Sequence, residues 1–327
     1  MSDSATTARA GVDLEFEQYR SELTGYCYRM LGSAFEAEDA VQDTLVRAWR
    51  GFDRFEGRSA VKSWLYSIAT NVCLDMLKSR QRRALPMDLG PSSSGDGDAG
   101  PRLPEDKWLQ PIPDGMALPP SQDPAELTAA RETIQVAFVA ALQHLPPKQR
   151  AVLILREVLR WKAEEVAELL ETSVASVNSA LQRARATMAS TNVTESDALQ
   201  PDDEEQRELL ARYVDAFERF DIEKLVSLLH EDATMSMPPY DLWLQGRDAL
   251  RRWLLGSGSG CRGSRFEPVE ANGTPGFAQW RSAGPGAGYN AWAIHLVEMS
   301  DGQISGIHFF VDPNLFSLFD LPVHLDA

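Results

Sequence analysis

The sequence predicts a multidomain fold: two all-α helical modules, the second carrying a helix-turn-helix, followed by an α+β module. Three observations lead there. Apolar residues recur every three or four positions through 12–83 and 125–190, where the only prolines are Pro146 and Pro147; that is the period of amphipathic helices. The stretches GYNAWAIHLVEM and QISGIHFFV near the C-terminus alternate instead, as strands do. Between the helical parts, ALPMDLGPSSSGDGDAGPRLPEDKWLQPIPDGMALPP (84–120) holds eight of the 19 prolines and five of the 22 glycines, and keeps neither period.

The first module is read over 12–83. In 36–50, Val41, Leu45 and Ala48 make an apolar stripe, and Asp39, Gln42, Asp43, Arg47 and Arg50 point away from it. A face of mixed charge suits a charged protein partner better than a polyanion. In 62–80, Leu65, Ile68, Val72 and Met76 form the stripe, leaving Trp64, Ser67, Asn71 and Lys78 outward. Lys78, Arg80, Arg82 and Arg83 then make the one dense basic cluster of the chain. The segment 84–124 reads as a flexible acidic tether, within which Trp108, Leu109 and Ile112 are an apolar run able to dock.

The third segment, 125–190, ends in AEEVAELLETSVASVNSALQRARATM (163–188). Ala163, Val166, Ala167 and Leu170 stripe a short helix, Glu171-Thr172-Ser173 interrupts it, and Ser173 is placed to cap the next helix. There Val177, Leu181, Ala184 and Met188 face inward. Ser176, Asn178, Ser179, Gln182, Arg183 and Arg185 are left for solvent or a partner. This is helix-turn-helix spacing with a second helix rich in groups that bond base edges and phosphates. Glu171 stands where such turns often carry glycine, so a turn of another kind is expected.

Composition narrows the functions. The 327 residues carry a net charge of −16, yet segments 1–83 and 121–191 are each neutral, 84–120 carries −4 and 192–327 carries −12. Neutral helical modules cannot grip DNA strongly alone. Cys27, Cys73 and Cys261 are odd in number and far apart, which argues for a reducing compartment and against a disulfide framework or zinc site. No cofactor or metal is expected, and no stretch approaches the roughly 20 apolar residues of a membrane helix. The start, MSDSATTARAGVDLEFEQYR, lacks the apolar core of a secretory leader, so a cytoplasmic protein is expected.

Several long strings carry a resemblance. LPPKQRAVLILREVLRWKAEEVAELL followed by VNSALQRAR is similar to the promoter-reading C-terminal region of bacterial extracytoplasmic-function sigma factors. AEDAVQDTLVRAWR (37–50) resembles their segment that docks on the clamp of RNA polymerase's largest subunit. FEGRSAVKSWLYSIATNVCLDMLKSRQRR (55–83) resembles their promoter-melting and minus-ten-reading segment. The resemblance implies core-polymerase binding by Asp39, Gln42, Asp43, Arg47 and Arg50. It implies a flipped-base pocket at Arg58, Ser59, Ala60 and Val61 with Asn71 beside it and Trp64 near, and phosphate tracking by Lys78, Arg80, Arg82 and Arg83. Ser176, Asn178, Ser179, Gln182 and Arg183 would read the minus-thirty-five element, with Arg185 nearer the backbone. Core RNA polymerase (clamp and flap) and promoter DNA are the implied partners; a small-molecule ligand or an anti-sigma protein is a further one left open.

Residues 205–327 resemble a SnoaL-like domain of the nuclear transport factor 2 superfamily, a curved sheet wrapped by helices into a cone. The strings carrying this are LVSLLHEDATMSMPPY, LWLQGRDALRRWL and FFVDPNLFSLFDLP. Tyr240, Asp241, Trp243, Trp292 and Asp312 are candidates to line a cavity, but no spacing singles out an acid–base pair, so catalysis is not expected. A two-residue turn at Asp301-Gly302 would set His295 opposite His308, on the sheet face away from the helices. At −12 the module is expected to modulate initiation in cis. Two other readings remain: a helix-turn-helix regulator acting without polymerase, against which 36–50 and 55–83 speak, and an isomerase or cyclase fused to a regulatory arm.

Overall fold

A computed structural model describes residues 16–55, 60–78, 82–119, 123–191 and 203–327. Two compact units form: residues 1–83 with 115–193, and residues 84–114 with 194–327.

The first unit is all helical. Helix α1 (Arg20–Leu31) is buried along its whole second half, and ends in Gly32 at φ 70°, a left-handed stop. Helix α2 (Ala34–Gly51) is capped by Ser33, whose hydroxyl accepts from the Glu36 amide, and buries Ala37, Ala40, Val41, Thr44 and Ala48. Leu45 is only half-buried; the small alanines let α2 lie close to α1, and Leu45 falls at the rim. Helix α3 (Val61–Leu77) buries Leu65, Tyr66, Ala69, Thr70, Val72 and Cys73. Ile68 and Met76 remain half-exposed.

Helices α4 (Pro124–Glu132), α5 (Val136–Gln143), α6 (Pro147–Leu153), α7 (Ala163–Leu169) and α8 (Val174–Ser190) complete this unit. Of these, α5, α6 and α7 pack directly on the first three, and α8 packs on α6 and α7. Arg150 on α6 donates to the Met30 carbonyl, to Gln143 Oε1 (2.6 Å) and to the carbonyls of Gln143 and Leu145. Arg29 on α1 donates to the carbonyl and hydroxyl of Thr133, at 3.0 and 2.7 Å. Burial pushes both guanidiniums down to about 10. Each charge is tolerated because several oxygens surround it.

The second unit is a seven-stranded sheet wrapped by α9 (Glu204–Glu218), α10 (Ile222–Ser227) and α11 (Arg247–Leu255). Its strands are β1 (Leu229–Ser236), β2 (Trp243–Gln245), β3 (Arg265–Ala271), β4 (Thr274–Ser282), β5 (Tyr289–Ser300), β6 (Gln303–Phe310) and β7 (His324–Leu325). They run in the order β2-β1-β6-β5-β4-β3, with β7 on β5. Among the described strands, only β1 and β6 pair in parallel.

Residues 84–114 are not the free tether their composition suggests. They run over this second unit. The Ser93 amide donates to Trp243 O (2.8 Å), Leu103 to Pro239 O (2.9 Å), and Asn272 to Ile112 O (3.0 Å). Trp108, Leu109 and Ile112 are at most 2% exposed. A proline-rich chain cannot make its own ladder, but a neighbouring unit's loops and edge can satisfy its remaining donors while it buries apolar side chains.

The β5–β6 turn forms as expected, with Asp301 and Gly302 both at positive φ, the type I′ requirement. Its register does not persist. An irregularity between Glu298 and Met299 sets two residues of β6 past one of β5, so His295 faces Phe309 and His308 faces Leu296. A one-residue slip reverses which face a side chain takes. His295 is therefore inside, 4.0 Å from the Phe309 ring between centroids. His308 lies on the other face against Ser236 Oγ (2.7 Å) and Glu298 Oε1 (3.3 Å).

Candidate functional site

Four groups of residues carry the functional expectations. The first is the outer face of α2, a stripe that an amphipathic helix with small buried residues necessarily turns outward. Asp39, Gln42, Arg47 and Arg50 are exposed and Asp43 half-exposed. Arg47 grips Asp43 through two contacts, Nη2 to Oδ2 at 2.7 Å and Nε to Oδ1 at 3.1 Å. Val46 and Trp49, each 44% exposed, stand on the same face. Sequence reading passed over these two, although apolar residues on the polar side of a helix were the available signal. A charged face with an apolar centre has the composition of a protein interface.

The second group lies around α3. Arg58, Ser59 and Arg80 fall outside the described residues. Ala60 is exposed, Val61 opens α3 half-buried, and Asn71 is exposed. Trp64 does not stand alone outward: it stacks on Phe55 (centroids 4.8 Å) and joins Phe16 and Phe52 in an aromatic cluster. Its ring is too large to leave wet when three phenyl rings lie within reach. Lys78 is exposed and paired with Asp75 at 2.7 Å, and that pairing holds the Asp75 carboxyl below its ordinary value. Arg82 is exposed, 2.8 Å from His144 Nδ1. Arg83 corrects the expectation of a phosphate contact. It is buried and ion-paired with Glu36 at the base of α2, whose carboxylate offsets the cost of enclosing the guanidinium.

Third comes the helix-turn-helix. Helix α7 ends at Leu169 with Leu170 as its C-cap, and Glu171 adopts φ 49°. The Thr172 amide reaches the Ala167 carbonyl and the Glu171 amide the Glu168 carbonyl, the paired bonds of a Schellman stop. So the turn is the usual glycine-type turn made by a glutamate, contrary to expectation. Ser173 caps α8, accepting from the Ser176 amide at 3.2 Å, and its hydroxyl meets that of Ser176 at 2.9 Å. Val177, Leu181 and Ala184 are buried. Ser176, Asn178, Ser179, Gln182, Arg183 and Arg185 are all exposed, sharing the outward side of one 17-residue helix. Arg183 donates to Ser179 Oγ (2.6 Å) and Arg185 pairs with Glu157 (2.6 Å). These exposed contacts cost little to exchange for a phosphate or base edge.

The fourth is the sheet unit's interior. The five residues expected to share a cavity are divided among three. Tyr240 and Trp292 line a cavity of about 240 Å³ with Phe217, Trp253, Arg281 and Phe309. Asp241 and Trp243 line an adjoining recess with Leu89, Gly90, Pro91, Ser93 and residues 98–100, where the Trp243 indole donates to Gly90 O at 2.8 Å. Asp312 borders a third, beside Trp108 and Leu315. Its carboxylate accepts from the Asn314 amide at 2.9 Å and so caps the turn at 313–319. Arg281 was missed, since nothing in its local sequence indicates which side of β4 faces the cavity. Beneath the cavity, His295 Nε2 donates to Gln279 Oε1 at 2.6 Å, and the Gln279 amide donates to Ser264 Oγ at 2.7 Å. Burial pushes His295 down to about 3.

No helix among the described residues is long and apolar enough to cross a membrane. Family models match in three places: Sigma-70 region 2 over residues 16–83, Sigma-70 region 4 over 135–188, and a SnoaL-like domain over 210–307. The chain is 42% identical to the ECF RNA polymerase sigma factor SigG of Mycobacterium tuberculosis, over 98% of this chain and 86% of that protein. It is 28% identical to SigJ of the same organism, over 93% and 92%. The crystal structure of SigJ matches with a TM-score of 0.59 at 24% identity, over 94% of this chain and 99% of that one, a likeness of fold.

Proposed function

The chain belongs to the extracytoplasmic-function sigma factors of bacterial RNA polymerase, and on that premise we propose which of its surfaces does which part of the work. Sigma factors of this family bind core polymerase and promoter DNA. In our reading the α2 face docks on the clamp of the largest subunit. Val46 and Trp49 form the desolvated centre, and Asp39, Gln42, Asp43, Arg47 and Arg50 the charged surround. Ala60, Val61 and Asn71, with Arg58 and Ser59, receive the minus-ten strand, and Lys78, Arg80 and Arg82 follow its phosphates. Helix α8 enters the major groove at the minus-thirty-five element. Asn178, Ser179, Gln182 and Arg183 meet base edges there, while Ser176 and Arg185 meet backbone. The chain acts in the cytoplasm without chemistry of its own, and its SnoaL-like domain modulates initiation in cis.

The observation that carries this is the exposure of the polar side of α8 in a neutral unit. A helix with two exposed arginines gives too few phosphate contacts to hold DNA alone. Joined to polymerase it acts at high effective concentration. Run-off transcription with purified core polymerase and the full chain tests it. Changing Asp43 and Arg47 together to alanine, or Trp49 to alanine, should abolish initiation and co-elution with core while the chain stays folded. Strong binding of the chain alone to promoter duplex, unchanged by those substitutions, would instead support a regulator acting without polymerase.

A further inference from the structure

On the reading above, in which Ala60, Val61 and Asn71 receive the minus-ten strand, we propose that Trp64 is the residue that positions them. It holds both ends of the connection between α2 and α3. The Trp64 ring stacks on Phe55, where the chain leaves the end of α2, with centroids 4.8 Å apart and planes at 29°. The Trp64 amide donates to the Ala60 carbonyl at 3.2 Å, and Ala60 is where the chain returns, at the N-cap of α3. One residue therefore ties the exit to the entry, by its side chain and by its backbone.

The chain is shaped to make this stack. Helix α2 runs to Gly51, and a 3₁₀ turn at Phe52–Arg54 follows at once. That turn brings Phe55 back, its amide donating to the Phe52 carbonyl at 2.9 Å. The Phe52 and Phe55 rings lie 6.2 Å apart at 20°, and Phe16 closes the group, 6.2 Å from Trp64 and 5.6 Å from Phe52. Gly51 lets the indole lie against the end of α2, since a Cβ there would come to 3.3 Å from Trp64 Cζ2. Phe16 is buried, but Phe52, Phe55 and Trp64 are half-buried. The cluster is a clasp at the surface, beside the packed stripe of Leu65, Tyr66 and Ala69. Aromatic pairs fix ring geometry as well as burying area.

The start of α3 has use for such a clasp. Ala60 offers no side-chain cap, whereas α2 has Ser33. Trp64 is the fourth residue of α3, the position from which an apolar side chain reaches back before the cap and fixes the angle at which a chain enters a helix. Here its partner is Phe55, farther back than the residue before the cap. Asn71 stands seven residues after Trp64 and is exposed, about two turns along the same side of the helix. A clasp that sets the first turn of α3 against the end of α2 thereby sets Ala60 and Val61 against Asn71. A binding constellation must be held to within about 0.5 Å by the packing behind it, so a ring that need not touch the strand governs selectivity for its bases.

The test is selection by holoenzyme, made from core polymerase and the full chain, on a pool of DNA randomised in two places. The minus-ten segment is single-stranded and the minus-thirty-five segment is duplex, and captured molecules are sequenced. The unaltered chain should enrich its preferred bases in both segments by about tenfold or more. Trp64→Leu should flatten the single-stranded preferences to within about twofold, leaving those at minus-thirty-five and co-elution with core unchanged. Trp64→Phe keeps a ring to stack and should restore most of the preference. Phe55→Leu removes the other half of the clasp without altering α3; it should reproduce the Trp64→Leu pattern, and it decides the matter if Trp64→Leu does not fold. No capture, or no single-stranded preference, by the unaltered chain overturns the minus-ten reading itself. Three results overturn the role of Trp64 alone: preferences kept in Trp64→Leu or Phe55→Leu, no restoration by Trp64→Phe, or a loss that extends to minus-thirty-five and core binding.

Discussion

Glu171 holds a backbone conformation that costs a residue with a Cβ roughly 1 kcal/mol or more, and it does so in the turn that aims α8. Glycine would adopt it freely. Glu171→Gly should therefore raise the stability of the helical unit by about 1 kcal/mol, read by denaturant titration, with the α7–α8 angle unchanged. His295 makes the opposite kind of statement. Its folded value of about 3 lies below the ordinary 6.5 because burial excludes the proton. Between those limits the unfolded chain binds a proton that the folded chain refuses, so stability rises with pH there. The contribution is complete above about pH 6.5 and falls away as pH drops toward 3, by about 1.4 kcal/mol per pH unit well inside the window. Unfolding of the full chain at pH 6 and pH 5 should show this loss, and His295→Gln should flatten it. Neither residue was legible from sequence in this role. Glu171 looked like an obstacle to the usual turn, and His295 was placed on the wrong face by one irregular step in β6.

At the scale of elements, periodic helices read themselves. Ser173 capping α8, and Val177, Leu181 and Ala184 beneath it, follow from spacing alone, because a helix's partners sit at fixed offsets along the chain. The same rule left Gln182 and Arg183 outward, and each should contribute about 1–3 kcal/mol of base discrimination. Gln182→Ala and Arg183→Ala should each reduce run-off transcription by about ten- to a hundredfold at a promoter dependent on its upstream element, while core binding measured by co-elution stays intact. What spacing could not give is who satisfies a segment that has no period. Residues 84–114 look like a tether until the loops and edges of a distant sheet supply their hydrogen bonds, and Arg83 looks like part of a basic run until Glu36 encloses it. Gly95 tests this reading of the segment. Gly95→Ala puts a methyl group into the Ala249 carbonyl, and should speed amide exchange and proteolysis at 93–100 while leaving the helical unit's melting unchanged.

The whole molecule poses a question of length. The two regions to which we assign promoter reading are packed in one unit, locked by Arg150 on the Met30 carbonyl, Arg29 on Thr133, and the Trp161 ring 5.1 Å from Tyr66. A compact body of roughly 150 residues is about 40 Å across. Elements centred ten and thirty-five base pairs upstream are separated by about 85 Å of duplex at 3.4 Å per step. On that assignment the packed unit cannot touch both, and the α3 and α8 surfaces are expected to part when the chain joins polymerase. The free chain is then the closed member of a two-state pair, and core enzyme is the ligand that selects the open one. Paired spin labels at exposed Asn71 and Gln182 should report a short distance in the free full-length chain and one longer by tens of ångströms in the holoenzyme, on the scale the duplex sets. Trp161→Ala removes an aromatic contact worth about 1 kcal/mol; it should shift the free chain toward the open form and lower the core concentration needed for half-maximal initiation by about fivefold. A holoenzyme distance equal to that of the free chain would mean that the two reading heads never separate, and the division of labour between α3 and α8 would fail with it.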